Sequence, residues 1–214
     1  MGHFEIIVFS MATSWASGLN TYATVFMLGY LQQTGAVALP PDLVMVANPL
    51  VMFAAGSMYI VEFFADKIPG VDTAWDTMHT FVRIPAGALL AAGAFGDAGS
   101  SAQLVAALLG GGLAASTHIT KAGTRVLINT SPEPFTNWAA SISEDVAAIG
   151  GLWTALQHPW LFLGLLLIFL LALVWLLPRL WRALGRIFRT LGRWLGLAKP
   201  PQPTQNPSNR EKDP

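Results

Sequence analysis

The 214-residue chain contains no cysteine, which excludes disulfide cross-links and thiolate metal sites. Charge is also scarce, because only 11% of the residues are Asp, Glu, Lys or Arg, whereas about a quarter is usual in a soluble domain. Phosphate-cradling loops, dinucleotide fingerprints and nucleophilic triads have no convincing match. A water-exposed globular domain is therefore not expected. We predict no cofactor, no nucleic-acid partner and no enzymatic activity.

The longest apolar run identifies the class of protein. Between Pro159 and Leu177 the chain has no charged residue and almost no polar side chain. About 20 such residues form a helix that can cross a hydrocarbon core about 30 Å thick. Only helices and closed barrels satisfy their backbone groups there, and the alternating pattern of barrel strands is absent from the sequence. We therefore predict an all-α, polytopic transmembrane helix bundle.

Six hydrophobic segments are predicted to cross the membrane, and short connections rich in Pro, Gly and Asp separate them. The first segment is interrupted by Ser17, Gly18, Leu19 and Asn20, and both the first and the fourth exceed a minimal span. Either these two tilt, or one of them is broken within the membrane. The segments cover approximately residues 4–31, 49–66, 72–95, 102–128, 135–156 and 159–177.

Lys and Arg are absent from alternate connections, near residues 32–48, 97–101 and 157–159. The opposite side of the predicted bundle holds Lys67, the end of the fourth segment with Lys121 and Arg125, and a run of C-terminal arginines. Basic residues favour the cytoplasmic side of a membrane. This distribution predicts a multi-pass protein of the cell inner (plasma) membrane with both termini in the cytoplasm.

The C-terminal arginines recur every three or four residues, which places them on one face of a helix. Apolar residues fill the rest of that helix, so it is predicted to lie on the anionic lipids of the inner leaflet. The alternative is a docking helix for an acidic partner protein. The arginines are Arg179, Arg182, Arg186, Arg189 and Arg193. The predicted organisation is a polar-striped bundle over 1–157, an apolar helix over 158–178, the basic helix over 179–198 and a disordered tail over 199–214.

Polar side chains recur at helical spacing on the second to fifth segments, so each set shares one helix face. A charge inside a membrane costs at least about 2.5–3.5 kcal/mol, and the stripes are therefore expected to face one another or a hydrated cavity. Opposite signs on different helices can pair. The candidate binding or ion-pathway residues are Asn20, Glu62, Asp66, Asp72, Asp76, His79, Arg83, His118, Lys121, Arg125, Asn129, Asn137, Glu144 and Asp145.

Three of these residues are weak candidates for a metal site. The spacing of Asp72, Asp76 and His79 would present oxygen and nitrogen ligands on one face. Acids are also ordinary near a helix N-terminus, where the helix dipole favours them. We prefer the interpretation that these acids interact with the helix dipole, and we predict no metal.

A weak internal repeat is also present. Ala16-Ser17 and Thr21 align with Ala115-Ser116 and Thr120, and the separation of Pro49 from Glu62 equals that of Pro132 from Asp145. Three helices in each half would give the halves inverted topologies, as in many secondary transporters.

Several strings of the sequence form a recognisable set. They are residues 16–22 (ASGLNTY), 62–69 (EFFADKIP), 72–83 (DTAWDTMHTFVR), 121–125 (KAGTR), 129–134 (NTSPEP), 137–138 (NW) and 144–145 (ED). As a set and in order, they resemble a family of bacterial integral membrane proteins known only as a domain of unknown function (family 4126). The resemblance covers about residues 12–153 and implies a polytopic membrane protein, with no established activity, substrate or cofactor.

The leading functional hypothesis is a small transporter or channel-like protein with a polar site facing the cytoplasm. Glu144 or Asp145 would carry protons or cations, and His79 or His118 would relay protons. Arg83, Lys121 and Arg125 would bind an anionic group such as a phosphate or carboxylate. One alternative is a non-catalytic membrane scaffold or assembly factor whose ion pairs hold the bundle together. A membrane-embedded enzyme ranks third. The expected partners are the lipid bilayer, a small anionic or ionic solute, and a second copy of the chain.

Overall fold

The computed structural model describes residues 2–130 and 134–194, and nearly all of this part of the chain is helical. No strand occurs within these ranges, which confirms the all-α class. Two 3-10 helices, Pro41–Ala47 and Gly96–Ala98, lie in the connections. The long helices are α1 (His3–Gln33), α2 (Pro49–Ala65), α3 (Val71–Ala94), α4 (Ser100–Ile128), α5 (Pro134–Gln157) and α6 (Pro159–Trp194). Each predicted hydrophobic segment corresponds to one of these six.

Two of the described helices are long and apolar enough to cross a membrane, namely α4 and the Pro159–Arg179 part of α6. A third span is added if the 3-10 helix Pro41–Ala47 and α2, which meet at 65°, form one broken crossing. These helices indicate a membrane protein, although they number fewer than the six predicted spans. Helices α1 and α3 bury hydroxyl-bearing and ionisable side chains, and such faces lower mean hydropathy.

Helix α1 lies at the centre of the bundle and packs against all five other long helices. Its small residues permit close approach, since a Cβ atom placed on Gly18 would lie 2.5 Å from the carbonyl oxygen of Ala114 in α4. Ser14 and Ser17 donate side-chain hydrogen bonds to the carbonyl oxygens of Gly87 and Arg83 in α3, at 3.0 and 3.2 Å. The polar face of α1 is therefore buried against α3 and α4.

Helix α6 joins the predicted apolar and basic segments into one continuous helix that passes through Pro178. Aromatic contacts fasten its N-terminal part to α1: Trp160 stacks on Phe4 with ring centroids 4.3 Å apart, and Phe162 packs edge-on against Trp15. Only 11% of its span is buried. The C-terminal arginines are exposed at Arg179, Arg182, Arg186 and Arg189. The side chain of Arg193 and the predicted tail over 199–214 lie outside the part that the structure describes.

Candidate functional site

The helical backbone of α1 is interrupted at Asn20, within the segment that the sequence analysis singled out. Asn20 has φ −151° and ψ 100°, which is an extended conformation inside an otherwise helical run. Its side-chain Oδ1 accepts a hydrogen bond from the backbone N–H of Ala23 at 2.9 Å. Asn20 thus caps the second half of α1, as an asparagine commonly does at a helix N-terminus.

The interruption connects the backbone of α1 to ionisable side chains. Because the Ala23 amide is taken by Asn20, the carbonyl oxygen of Leu19 is free to accept from the Lys121 ammonium of α4, at 3.2 Å. The Asn20 amide nitrogen donates to Asp145 Oδ1 of α5 at 3.0 Å. Asp145 also lines a groove between α2 and α5 together with Tyr59. Hydrogen bonds therefore join α1 to both α4 and α5 at this point.

Replacing Asn20 with alanine should lower the free energy of unfolding by about 1–2 kcal/mol, because the cap on Ala23 and the donor to Asp145 are lost together. Thermal unfolding of the purified protein in detergent micelles measures this effect. The matched control is Ser143→Ala, since the exposed Ser143 hydroxyl bonds only to a carbonyl of its own helix. Equal stability of the two variants would contradict the assigned role of Asn20.

Arg83 lies at one end of a buried ionic network. Its Nη2 donates to Glu62 Oε1 of α2 at 2.7 Å, and its Nη1 lies 3.0 Å from Asp76 Oδ1. The second contact is an ion pair without hydrogen-bond geometry, because no donor is aligned with either Asp76 oxygen. The same Nη1 lies 3.2 Å from Nδ1 of His118, whose Nε2 contacts the Thr80 hydroxyl at 2.8 Å. Arg83 thereby links α2, α3 and α4.

The Lys121 ammonium lies at the centre of the network. Its Nζ is hydrogen-bonded to Asp66 Oδ2 at 2.8 Å. The other carboxylate oxygens within 4 Å belong to Glu144 at 3.4 Å, Glu62 at 3.5 Å and Asp76 at 3.7 Å. Four carboxylates and the Leu19 carbonyl thus surround one ammonium group that is almost fully buried.

Arg125 forms the other end of the network with a two-point ion pair to Glu144 of α5. The Nη2–Oε2 distance is 2.7 Å and the Nε–Oε1 distance is 3.3 Å. Its Nη1 donates to the backbone carbonyl oxygens of Asp66 and Asn137 at 2.9 and 3.2 Å. Arg125 therefore fixes the end of α2 and the start of α5 to α4.

Asp72 is held by hydrogen-bond donors at the start of α3. Its Oδ1 accepts from the backbone N–H groups of Gly70 and Thr73 at 2.8 and 2.6 Å, and from the Asn129 amide at 2.8 Å. Gly70 has φ +86°, a conformation that favours glycine and lets the chain turn into α3. Asn137 in turn donates to Asn129 Oδ1 at 3.0 Å.

His79 and Lys67 lie at the edges of the network. The ring nitrogens of His79 contact the Trp75 carbonyl oxygen at 2.8 Å and the Tyr22 hydroxyl at 3.0 Å. Lys67, in the connection between α2 and α3, places its ammonium 2.9 Å from the ring centroid of Phe63. Burial lowers the pKa of Lys67 below its ordinary value.

The structure brings most of the predicted residues into one network, while the candidate metal ligands separate. Asp72 contacts backbone amides, Asp76 contacts Arg83, and His79 contacts Tyr22. In residues 2–130 and 134–194, no group of three or more His, Asp or Glu side chains is placed to hold a metal ion. Tyr22 and Thr80 contact the network although the sequence analysis did not select them, because hydroxyl groups at such positions carry no distinguishing pattern.

Comparison with known proteins identifies the family of this chain. No curated protein and no solved structure matches the chain. Residues 7–179 match the model of a protein family described as Domain of unknown function (DUF4126). The match extends beyond the resemblance over 12–153 at both ends and includes the apolar part of α6. Because the match covers most of the sequence, the chain belongs to the DUF4126 family.

Proposed function

We propose that the protein is a small cation-coupled membrane transporter for an ionic solute, with a polar site that faces the cytoplasm. The observation that carries this proposal is the interruption of α1 at Asn20. Transporters commonly bind substrate and coupling ions where a transmembrane helix is discontinuous, because unwound backbone groups and helix ends are available there. At this interruption the Leu19 carbonyl and the Asn20 amide contact Lys121 and Asp145.

The proposed topology has six spans, with both termini on the cytoplasmic side of the inner membrane. Although α1, α3 and α5 are not apolar on every face, the hydroxyl groups of α1 and the acids and bases of α3 and α5 are turned into the bundle. The proposed inverted repeat is supported by one contact: the alignment pairs Gly18 with Thr117, and a Cβ atom on Gly18 would lie 2.7 Å from the Thr117 Cβ. Equivalent residues meet in this way near a pseudo-two-fold axis. In this topology the exposed arginines of α6 lie at the inner leaflet, where anionic lipids attract them.

A cation is the coupled species that best suits the network. The basic groups of Arg83, Lys121 and Arg125 already contact carboxylates, so an anionic solute would have to displace one of these. Buried carboxylate oxygens without hydrogen-bond partners favour binding of positive charge. In the described part of the chain they occur on Glu62, Asp66, Asp72, Asp76 and Asp145.

Proteoliposomes containing the purified protein should conduct or exchange H⁺, Na⁺ or K⁺ faster than protein-free liposomes. Fluorescent indicators trapped inside the vesicles measure each ion, and uptake of radiolabelled inorganic phosphate and short carboxylic acids is followed in parallel. Asn20→Ala and Glu144→Gln should each reduce the flux at least tenfold, whereas the exposed Ser143→Ala should not. Cation flux equal to that of protein-free liposomes would contradict the proposal.

The second candidate function is a membrane scaffold, favoured by the way Arg83, Lys121 and Arg125 each join side chains from several helices. In that case, substitutions that remove charge would lower the amount of folded protein in the membrane without any separate effect on ion flux. Flux measured per folded molecule therefore discriminates between the two functions.

A further inference from the structure

The ion pairs of the buried network join five carboxylates to three basic groups, so two negative charges are in excess. Arg125 is paired with Glu144 at 2.7 Å, and Lys121 is closest to Asp66 at 2.8 Å. Asp72 lies 3.9 Å from Arg125 and carries one of the excess charges, which is stabilised by the neutral donors of Gly70, Thr73 and Asn129 to its Oδ1. Arg83 is the closest basic group to the two remaining acids of the network, and the Lys121 ammonium lies farther from them, at 3.5 and 3.7 Å.

Those remaining acids are Glu62 and Asp76, and they share Arg83. Glu62 Oε1 lies 2.7 Å from one terminal nitrogen of the guanidinium, and Asp76 Oδ1 lies 3.0 Å from the other. One guanidinium balances one carboxylate, and Lys121 is closest to Asp66, so one of the two excess negative charges remains on this pair. Both side chains are fully buried. In the described part of the chain, Glu62 Oε2 and Asp76 Oδ2 have no hydrogen-bond partner.

The nearby histidines do not supply the missing positive charge. Arg83 only donates hydrogen bonds, so His118 Nδ1, 3.2 Å from Arg83 Nη1, must be the unprotonated acceptor. The proton of His118 then lies on Nε2, which donates to Thr80. The two ring nitrogens of His79 contact a carbonyl and a hydroxyl oxygen, neither of which belongs to Glu62 or Asp76.

We propose that Glu62 and Asp76 together bind one monovalent cation, either a proton or an alkali metal ion. A buried carboxylate without a counter-charge is strongly unfavourable, and its unpaired oxygens are the atoms that would hold the cation. A single excess charge matches a monovalent ion. This inference rests on the proposed transport function, for which it names the coupling ion and the two residues that bind it.

Measurements on purified wild-type protein in lipid nanodiscs distinguish a bound proton from a bound alkali metal ion. A bound proton gives the infrared C=O stretching band of a protonated carboxylic acid, which shifts in heavy water and is unaffected by NaCl or KCl. A bound alkali ion instead raises the unfolding temperature with NaCl or KCl, but not with choline chloride at equal ionic strength. Wild-type protein that shows neither the band nor an ion-specific rise in unfolding temperature would overturn the proposal.

Amide substitutions locate the site. Glu62→Gln and Asp76→Asn should each fold, because the other acid still pairs with Arg83, and each should abolish the band or the ion response. The control Asp97→Asn, at an exposed acid outside the network, should keep it. The double variant leaves Arg83 without a carboxylate partner. Its unfolding temperature should therefore decrease by clearly more than the sum of the decreases in the two single variants. Retention of the full wild-type response by both single variants, or additive behaviour of the double variant, would overturn the assignment to this pair.

The cation-binding measurements test this inference separately from the transport assay, which tests the proposed function. Cation binding without flux in proteoliposomes would leave this site in place and contradict the transport function. Flux without cation binding at Glu62 and Asp76 would contradict this inference alone.

Discussion

Replacing Arg83 with methionine should lower the free energy of unfolding by about 3–5 kcal/mol, the range expected when one partner of a buried ion pair is removed. The substitution keeps much of the side-chain volume but removes the closest counter-charge of both Glu62 and Asp76. It also removes the donor to His118 Nδ1. Denaturant or thermal unfolding in detergent micelles measures the loss.

Two further variants test the cause of that loss. Arg182→Met removes an exposed arginine that bonds to a carbonyl of its own helix, so stability should stay within about 0.5 kcal/mol of wild type. Adding Glu62→Gln and Asp76→Asn to Arg83→Met should recover part of the stability, because no unpaired charge then remains at this position. A triple variant as unstable as Arg83→Met would show that packing, and not charge, determines the effect.

Replacing Gly110 with valine should destabilise the protein by about 1–3 kcal/mol, whereas the same change at Gly112 should have little effect. Any Cβ atom at Gly110 would collide with the Cβ of Ala91 in α3 and would lie 2.6 Å from the Ser14 hydroxyl oxygen of α1. At Gly112, nothing lies within 4 Å of the added atom. Overpacking at the meeting point of three helices forces backbones apart, while an open helical position gains slightly in helix propensity.

The comparison of Gly110 with Gly112 is internally controlled, since both belong to one run of three glycines in α4 and receive the same side chain. Unfolding temperatures of the two variants, measured side by side, give the difference directly. Equal losses at the two positions would indicate that the glycine run matters for helix flexibility and not for the contact with α1 and α3.

The helices could be predicted from the sequence because apolar runs alternate with Pro- and Gly-rich connections. The interruption of α1 was also predictable in outline, since Ser17, Gly18 and Asn20 interrupt an apolar segment that is longer than one span. The basic helix was predicted as a separate element after Pro178, but α6 continues through this proline. Proline removes one backbone donor, and whether a helix then ends depends on the packing and solvation of the neighbouring turns.

The partners within the network could not be predicted. Helical spacing places Asp72, Asp76 and Arg83 on one face of α3, but the rotation and tilt of each helix decide which acid meets which base. The contact of the Leu19 carbonyl with Lys121 depends on the interruption of α1, and Tyr22 reaches His79 across 57 residues of sequence. The sequence shows more acids than bases on these segments, but which two acids share Arg83 depends on the positions of the helices.

The division of opposite charges among α2, α3 and α4 also constrains the biogenesis of the protein. In the proposed six-span topology, α3 would emerge from the ribosome with Asp72, Asp76 and Arg83 before Lys121 and Arg125 of α4 have been synthesised. A helix with such a face partitions poorly into lipid alone, so α3 has to wait at the insertion machinery or enter together with α2, whose Glu62 pairs with Arg83. The apolar α6 has no such requirement. Nascent chains that end after α3 should therefore be retained by the insertion machinery, and release into the bilayer should follow the synthesis of α4.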